Sequence, residues 1–184
     1  MFDGLSSHSP SPLVQQPSVG FDFDGVFVED ARFYTGFGLA VKLNPVRAFA
    51  SSFEKVGPVC YEGDMPEVCR YLSAMPIGST IAVVTGRVAD EYELTSRQLI
   101  ETAGGTFLAK GMRVMLFVNE GRKSRTRAET PELAAIKTVM HKAMTINSLG
   151  LEVFYESDQG QVEKLSVLCP NTRVLKFKPF DLEV

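Results

Sequence analysis

The sequence predicts an α/β protein, a three-layer α/β/α sandwich around a mainly parallel sheet. Three observations carry this. Residues 79–85 (STIAVVT) form a continuous apolar run closed by a polar residue, the pattern of a strand buried on both faces. Apolar runs alternate along the chain with segments of helical periodicity, which implies right-handed βαβ crossovers. The strand ends are polar: Asp22, Thr85 and the acidic group Glu156-Ser157-Asp158. In a parallel, Rossmann-like sheet these ends share one edge, and ligands sit there.

The elements follow in order. Residues 1–17 (MFDGLSSHSPSPLVQQP) read as a flexible leader, because Pro10, Pro12 and Pro17 interrupt regular structure. The domain then spans 18–184. Ser18 to Asp22 reads as a short buried strand ending in an acid. Residues 29–63 are irregular and aromatic, with one helix predicted after Asn44-Pro45 and closed by Gly57. Asp64 and Pro66 open a helix through DMPEVCRYLSAM, where Val68, Tyr71, Leu72 and Met75 recur at helical spacing. After strand 79–85, a helix is predicted from about 88 to 103, stopped by Gly104-Gly105. Two short strands are predicted at 106–109 and 112–118, then a charged loop at 119–129. Thr130-Pro131 starts a long helix through about 146. Strand 151–155, a helix from about 160 to 167 and strand 173–177 complete the chain.

Composition narrows the class. Of 184 residues, 45% are hydrophobic and 22% charged, as in a globular domain with a full core. A net charge of −3 argues against a wholesale nucleic-acid coat, though not against a local basic patch. The three cysteines, Cys60, Cys69 and Cys169, form no C-x-x-C pair, which disfavours a disulfide framework or a structural zinc site. A cytoplasmic, reducing compartment fits best. No apolar run approaches the roughly 20 residues that span a bilayer, and the N-terminus lacks the form of a secretory signal, so no membrane partner is expected. His8 lies in the leader and His141 on a helix, so neither makes a case for histidine chemistry. No serine or cysteine nucleophile motif is present.

The chemistry concentrates at the strand ends. In Phe21-Asp22-Phe23-Asp24-Gly25-Val26 two aspartates follow a buried strand at i and i+2. Their repulsion is relieved by a hard cation such as Mg²⁺, which keeps waters and phosphate oxygens as its other ligands. Gly25 lets the chain turn and bring backbone N–H groups near an anion. The alternative is a solvated turn. In Thr85-Gly86-Arg87 a hydroxyl, a glycine and a cation end the second strand, next to a helix N-terminus that favours phosphate. The alternative is that Thr85 caps that helix. Lys137 on the long helix is the lysine expected to enter the cleft. Lys142, five residues on, is expected to point elsewhere. Either Glu156 or Asp158 can complete a metal site.

These four elements, in this order, resemble the haloacid dehalogenase (HAD) superfamily over residues 18–177. FDFDGV matches its first motif and IAVVTGR its second; Lys137 fits the third. YESDQ departs from the fourth, because Glu156 and Ser157 stand where two aspartates are expected. The resemblance implies a phosphatase. Asp22 would attack phosphorus and become an aspartyl-phosphate. Asp24 would protonate the leaving oxygen and then activate water. Thr85 and Lys137 would hold the phosphoryl oxygens. Mg²⁺ would be held by an Asp22 oxygen, the Asp24 backbone carbonyl and an acid from 156–158. The spacings leave no room for a large cap domain, so the site should be open.

Openness suits large substrates. Arg122, Lys123, Arg125 and Arg127 give four positive charges just before the Lys137 helix, a loop suited to nucleic-acid phosphates. Phe33, Tyr34 and Phe37 could stack on bases or serve the core. A weaker resemblance links the chain to polynucleotide 3′-phosphatases and the RNA-repair-like HAD group. The phosphorylated substrate could thus be a polynucleotide end. A small nucleotide or sugar phosphate is the alternative, and a catalytically silent HAD-like binding or assembly module is the third reading.

Overall fold

The computed structural model describes residues 16–29, 58–60, 65–121 and 130–177. Within them five strands form one all-parallel sheet in the order β3-β2-β1-β4-β5. The strands are β1 (Val19–Phe21), β2 (Thr80–Val88), β3 (Arg113–Asn119), β4 (Val153–Glu156) and β5 (Arg173–Lys176). The helices are α1 (Glu67–Ala74), α2 (Tyr92–Ala109), α3 (Pro131–Leu149) and α4 (Gln159–Leu168). The α/β/α prediction therefore holds.

Alternation along the strands builds two cores. Ile81 and Val83 of β2 join Phe21, Leu72 of α1 and Leu99 and Ala103 of α2 on one face. Ala82 and Val84 join Phe154, Val139, Ala143 and Ile146 of α3 and Leu165 of α4 on the other. All four β2 residues are fully buried, as the apolar run required. Each valine and isoleucine among them contributes roughly 1.5–3 kcal/mol on burial.

The boundaries differ in instructive ways. Gly104-Gly105 does not stop the second helix: α2 runs on to Ala109 and absorbs the strand expected at 106–109. Two glycines cost about 2 kcal/mol in a helix, which burial of Leu99, Ala103 and partly of Phe107 offsets. Strand β2 continues through Gly86 to Val88, so α2 begins only at Tyr92, after a 3₁₀ turn at Ala89–Glu91. A Cβ on Gly86 would lie 2.4 Å from the Thr138 side chain, so glycine permits the close approach of β2 to α3. The α3 start is as expected: the Thr130 hydroxyl accepts the Leu133 N–H at 3.2 Å, with Pro131 at the first position.

The leader up to residue 15, the helix expected after Asn44, the aromatic residues Phe33, Tyr34 and Phe37, Asp64 and loop residues 122–129 lie outside the described residues. No described helix is long and apolar enough to cross a membrane. Cys60, Cys69 and Cys169 are free thiols, the last two buried.

Candidate active site

Strand order reverses between β1 and β4, since the chain adds β2 and β3 on one side of β1 and β4 and β5 on the other. The carboxyl ends of β1 and β4 are therefore the switch point, the place where parallel sheets of this kind bind ligands in a crevice. Asp22 follows β1 and stays in register, donating its backbone N–H to the Tyr155 carbonyl at 2.8 Å. Glu156 ends β4. Between them stands Lys142 of α3, its Nζ 2.8 Å from Asp22 Oδ1 and 2.7 Å from Glu156 Oε2. All three are buried.

Two carboxylates share one ammonium, so negative charge is in excess. Burial, followed by the neighbouring Glu156, pushes the Asp22 carboxyl up to about 8 despite Lys142. For Lys142 burial opposes the charge, but Asp22 and then Glu156 outweigh it and raise its pKa.

Lys137 is not the cleft lysine. It lies on the exposed side of α3, whereas Lys142, roughly 140° round the helix, enters the strand-end crevice. The expectation that Lys142 points elsewhere is thus corrected. The buried stripe of α3 is Val139, Ala143 and Ile146, and Lys142 falls within it. That signal was obscured because Leu133, Ile136, Met140 and Met144 form a second apolar stripe, which is exposed.

Asp24 belongs to a second cluster. Gly25 turns the chain after it with φ +81°. The Asp24 carboxylate is gripped by Arg87, with Nη2 at 2.6 Å from Oδ1 and Nε at 3.2 and 3.1 Å from the two oxygens. Arg87 Nη1 donates to Gln98 Oε1 at 2.7 Å and Thr95 Oγ1 at 3.2 Å, and the guanidinium lies 4.4 Å from the Phe23 ring centre. Arg87, expected to bind substrate, is instead buried and spent on Asp24. Thr85 is fully buried at the same edge, and its hydroxyl accepts the Arg87 backbone N–H at 3.2 Å. It therefore does not cap α2. Thr95 and Gln98 were missed because they sit mid-helix with no motif of their own.

The fourth strand end resolves three neighbours. Glu156 is committed to Lys142 and accepts the Asp158 N–H at 3.0 Å. Asp158 caps α4, its Oδ1 accepting the Gln161 N–H at 2.9 Å. Asp158, one of the two acids expected to complete a metal site, has this competing role. Ser157 lies between them. Its hydroxyl lies 2.7 Å from the Asp24 carbonyl and 3.4 Å from Asp22 Oδ2. Lys176 of β5 donates to the Ser157 carbonyl.

Among the described residues, no three His, Cys, Asp or Glu side chains form a group able to hold a metal. Oxygens nevertheless converge: Asp22 Oδ2 and the Asp24 carbonyl are both within reach of one hydroxyl. One carboxylate and one carbonyl, with waters and substrate, are a donor set that Mg²⁺ accepts. The excess negative charge of the cluster favours a cation as well. Arg122, Lys123, Arg125 and Arg127 lie outside the described residues and have no assigned place here. Comparison with protein-family models, curated proteins and solved structures returned no match.

Proposed function

We propose that the protein is a phosphomonoester hydrolase working through an aspartyl-phosphate on Asp22, with Mg²⁺ as cofactor. The observation that carries this reading is the buried Asp22–Lys142–Glu156 cluster at the switch point. A buried carboxylate with a cation beside it supports phosphoryl transfer, because preorganised charge shielded from water stabilises the charge of a transferring phosphoryl group. The resemblance of FDFDGV and IAVVTGR to HAD motifs supports the same chemistry.

In this reading an ionised Asp22 oxygen forms a bond to phosphorus as the ester P–O bond breaks. The leaving oxygen takes its proton from solvent, because the ion pair with Arg87 keeps Asp24 a carboxylate; Asp24, its side chain 24% exposed, would act as the base of the second step. Water then attacks phosphorus and passes a proton to Asp24. The bond from phosphorus to Asp22 breaks, releasing inorganic phosphate. Lys142 takes the phosphate-neutralising part expected of Lys137, and Thr85 stands at the same edge. Asp22 Oδ2 and the Asp24 carbonyl would hold Mg²⁺, which supplies the positive charge that favours ionised Asp22. Arg87 holds Asp24 in place. The free thiols support a reducing compartment.

The test is phosphate release with Mg²⁺ from p-nitrophenyl phosphate, nucleotides and 3′-phosphorylated oligonucleotides in parallel. Asp22→Asn should lower turnover at least about a thousandfold with the fold intact. Preference for the oligonucleotide supports a polynucleotide end; preference for a nucleotide or sugar phosphate supports a metabolite phosphatase. The silent-module reading is favoured by one observation, the serine at 157 where an acid is expected. It wins if no substrate releases phosphate while a phosphate analogue still binds.

A further inference from the structure

We propose that Ser157 is the third protein ligand of the cation site, and that neither Glu156 nor Asp158 is a ligand; this rests on the hydrolase reading above. Both acids are engaged elsewhere: Glu156 holds Lys142 at 2.7 Å and the Asp158 N–H at 3.0 Å, and Asp158 caps α4 at 2.9 Å. A ligand role would cost the first its buried ion pair and the second its helix cap. Ser157 has no such conflict. Its Oγ is 2.7 Å from the Asp24 carbonyl oxygen and 3.4 Å from Asp22 Oδ2. The 2.7 Å pair is close enough for both oxygens to face one small cation, and the 3.4 Å pair would draw together on binding it. The hydroxyl now donates its proton to the carbonyl; on cation binding it would turn that proton away and offer a lone pair.

The consequence is a weak site. One charged and two neutral oxygens would face the cation, while Lys142 stands on the other Asp22 oxygen and Lys176 on the Ser157 carbonyl. Cation affinity follows ligand charge. A carboxylate at 157 should therefore tighten Mg²⁺ binding, and removal of the hydroxyl should weaken it.

The experiment is calorimetric titration of the full chain with MgCl₂, without substrate, alongside Mn²⁺ binding read by water-proton relaxation. Ser157→Asp should bind Mg²⁺ at least ~tenfold more tightly than the natural protein, and Ser157→Ala several-fold more weakly, by about three- to tenfold. Asp158→Ala should bind as the natural protein does. Thermal unfolding without metal checks that each variant folds, and Mg²⁺ should stabilise Ser157→Asp most. Unchanged binding in Ser157→Ala, loss of binding in Asp158→Ala, or no Mg²⁺ binding even in Ser157→Asp overturns the assignment. Metal binding that follows residue 157 without phosphate release would sink the hydrolase reading and leave the site standing. Phosphate release whose Mg²⁺ requirement ignores residue 157 would do the reverse.

Discussion

Two ion clusters share the carboxyl edge of the sheet, and they are built on opposite principles. Around Asp22, one lysine serves two carboxylates, and burial, followed by the neighbouring Glu156, drives the Asp22 carboxyl up to about 8. Around Asp24, one arginine grips one carboxylate through three contacts, and Thr95 and Gln98 occupy another of its nitrogens. The second cluster has no surplus charge for a ligand to satisfy; it is a fixed support. The first is incomplete by one positive charge, and a cation or phosphoryl group can change it. Asp22 is buried whereas the Asp24 side chain is 24% exposed, so depth and the count of charges together separate the reactive cluster from the supporting one.

The largest effect should come from Lys142→Met. Removing the shared cation strands two buried acids, which should cost about 3–5 kcal/mol in urea unfolding and abolish phosphate release. Lys137→Ala should stay within about 0.5 kcal/mol, because that side chain is exposed; equal losses would mean that both lysines reach the cleft.

The pH dependence of stability in metal-free protein sharpens the contrast. The folded-state pKa of Asp22 lies near 8, above the unfolded value of about 3.9. Its contribution is thus full below about pH 4 and is lost as the pH rises through 8. Asp22→Asn should flatten the decline between those limits and be more stable than the natural protein above pH 8, by about 1–5 kcal/mol. A parallel decline in both proteins would place the surplus proton elsewhere.

Arg87→Lys should have a smaller effect than loss of Lys142 or Asp22. The lysine keeps one charge near Asp24 but loses the two-pronged grip and cannot reach both Thr95 and Gln98, a loss of about 1–3 kcal/mol. If Asp24 moves with it, phosphate release should slow by about tenfold or more while KM changes little. A rise in KM alone would restore Arg87 to a substrate-binding role.

Much of this was legible from local pattern. The apolar run at 79–85 is a buried strand, and Pro131 after Thr130 opens the long helix. Asp22, Thr85 and Glu156 do share one sheet edge. Other features were not legible. Gly104-Gly105 reads as a stop, yet packing of the surrounding face carries α2 through it. The roles of Glu156, Ser157 and Asp158 depend on which way each side chain leaves a turn, and three adjacent polar residues do not declare that.

By itself the sequence determined the layers, the parallel strands and the edge at which chemistry can occur, because apolar periodicity and the polar ends of strands are local properties. Tertiary structure alone decided which lysine enters the crevice. Helix α3 carries apolar residues on two sides, so periodicity offers two candidate inner faces, and only docking onto β2 and α4 selects Val139, Ala143 and Ile146. That choice turns Lys142 inward and Lys137 out. It also decided that Arg87 would be drawn under Phe23 to Asp24, since partners 63 residues apart meet only after the sheet has formed.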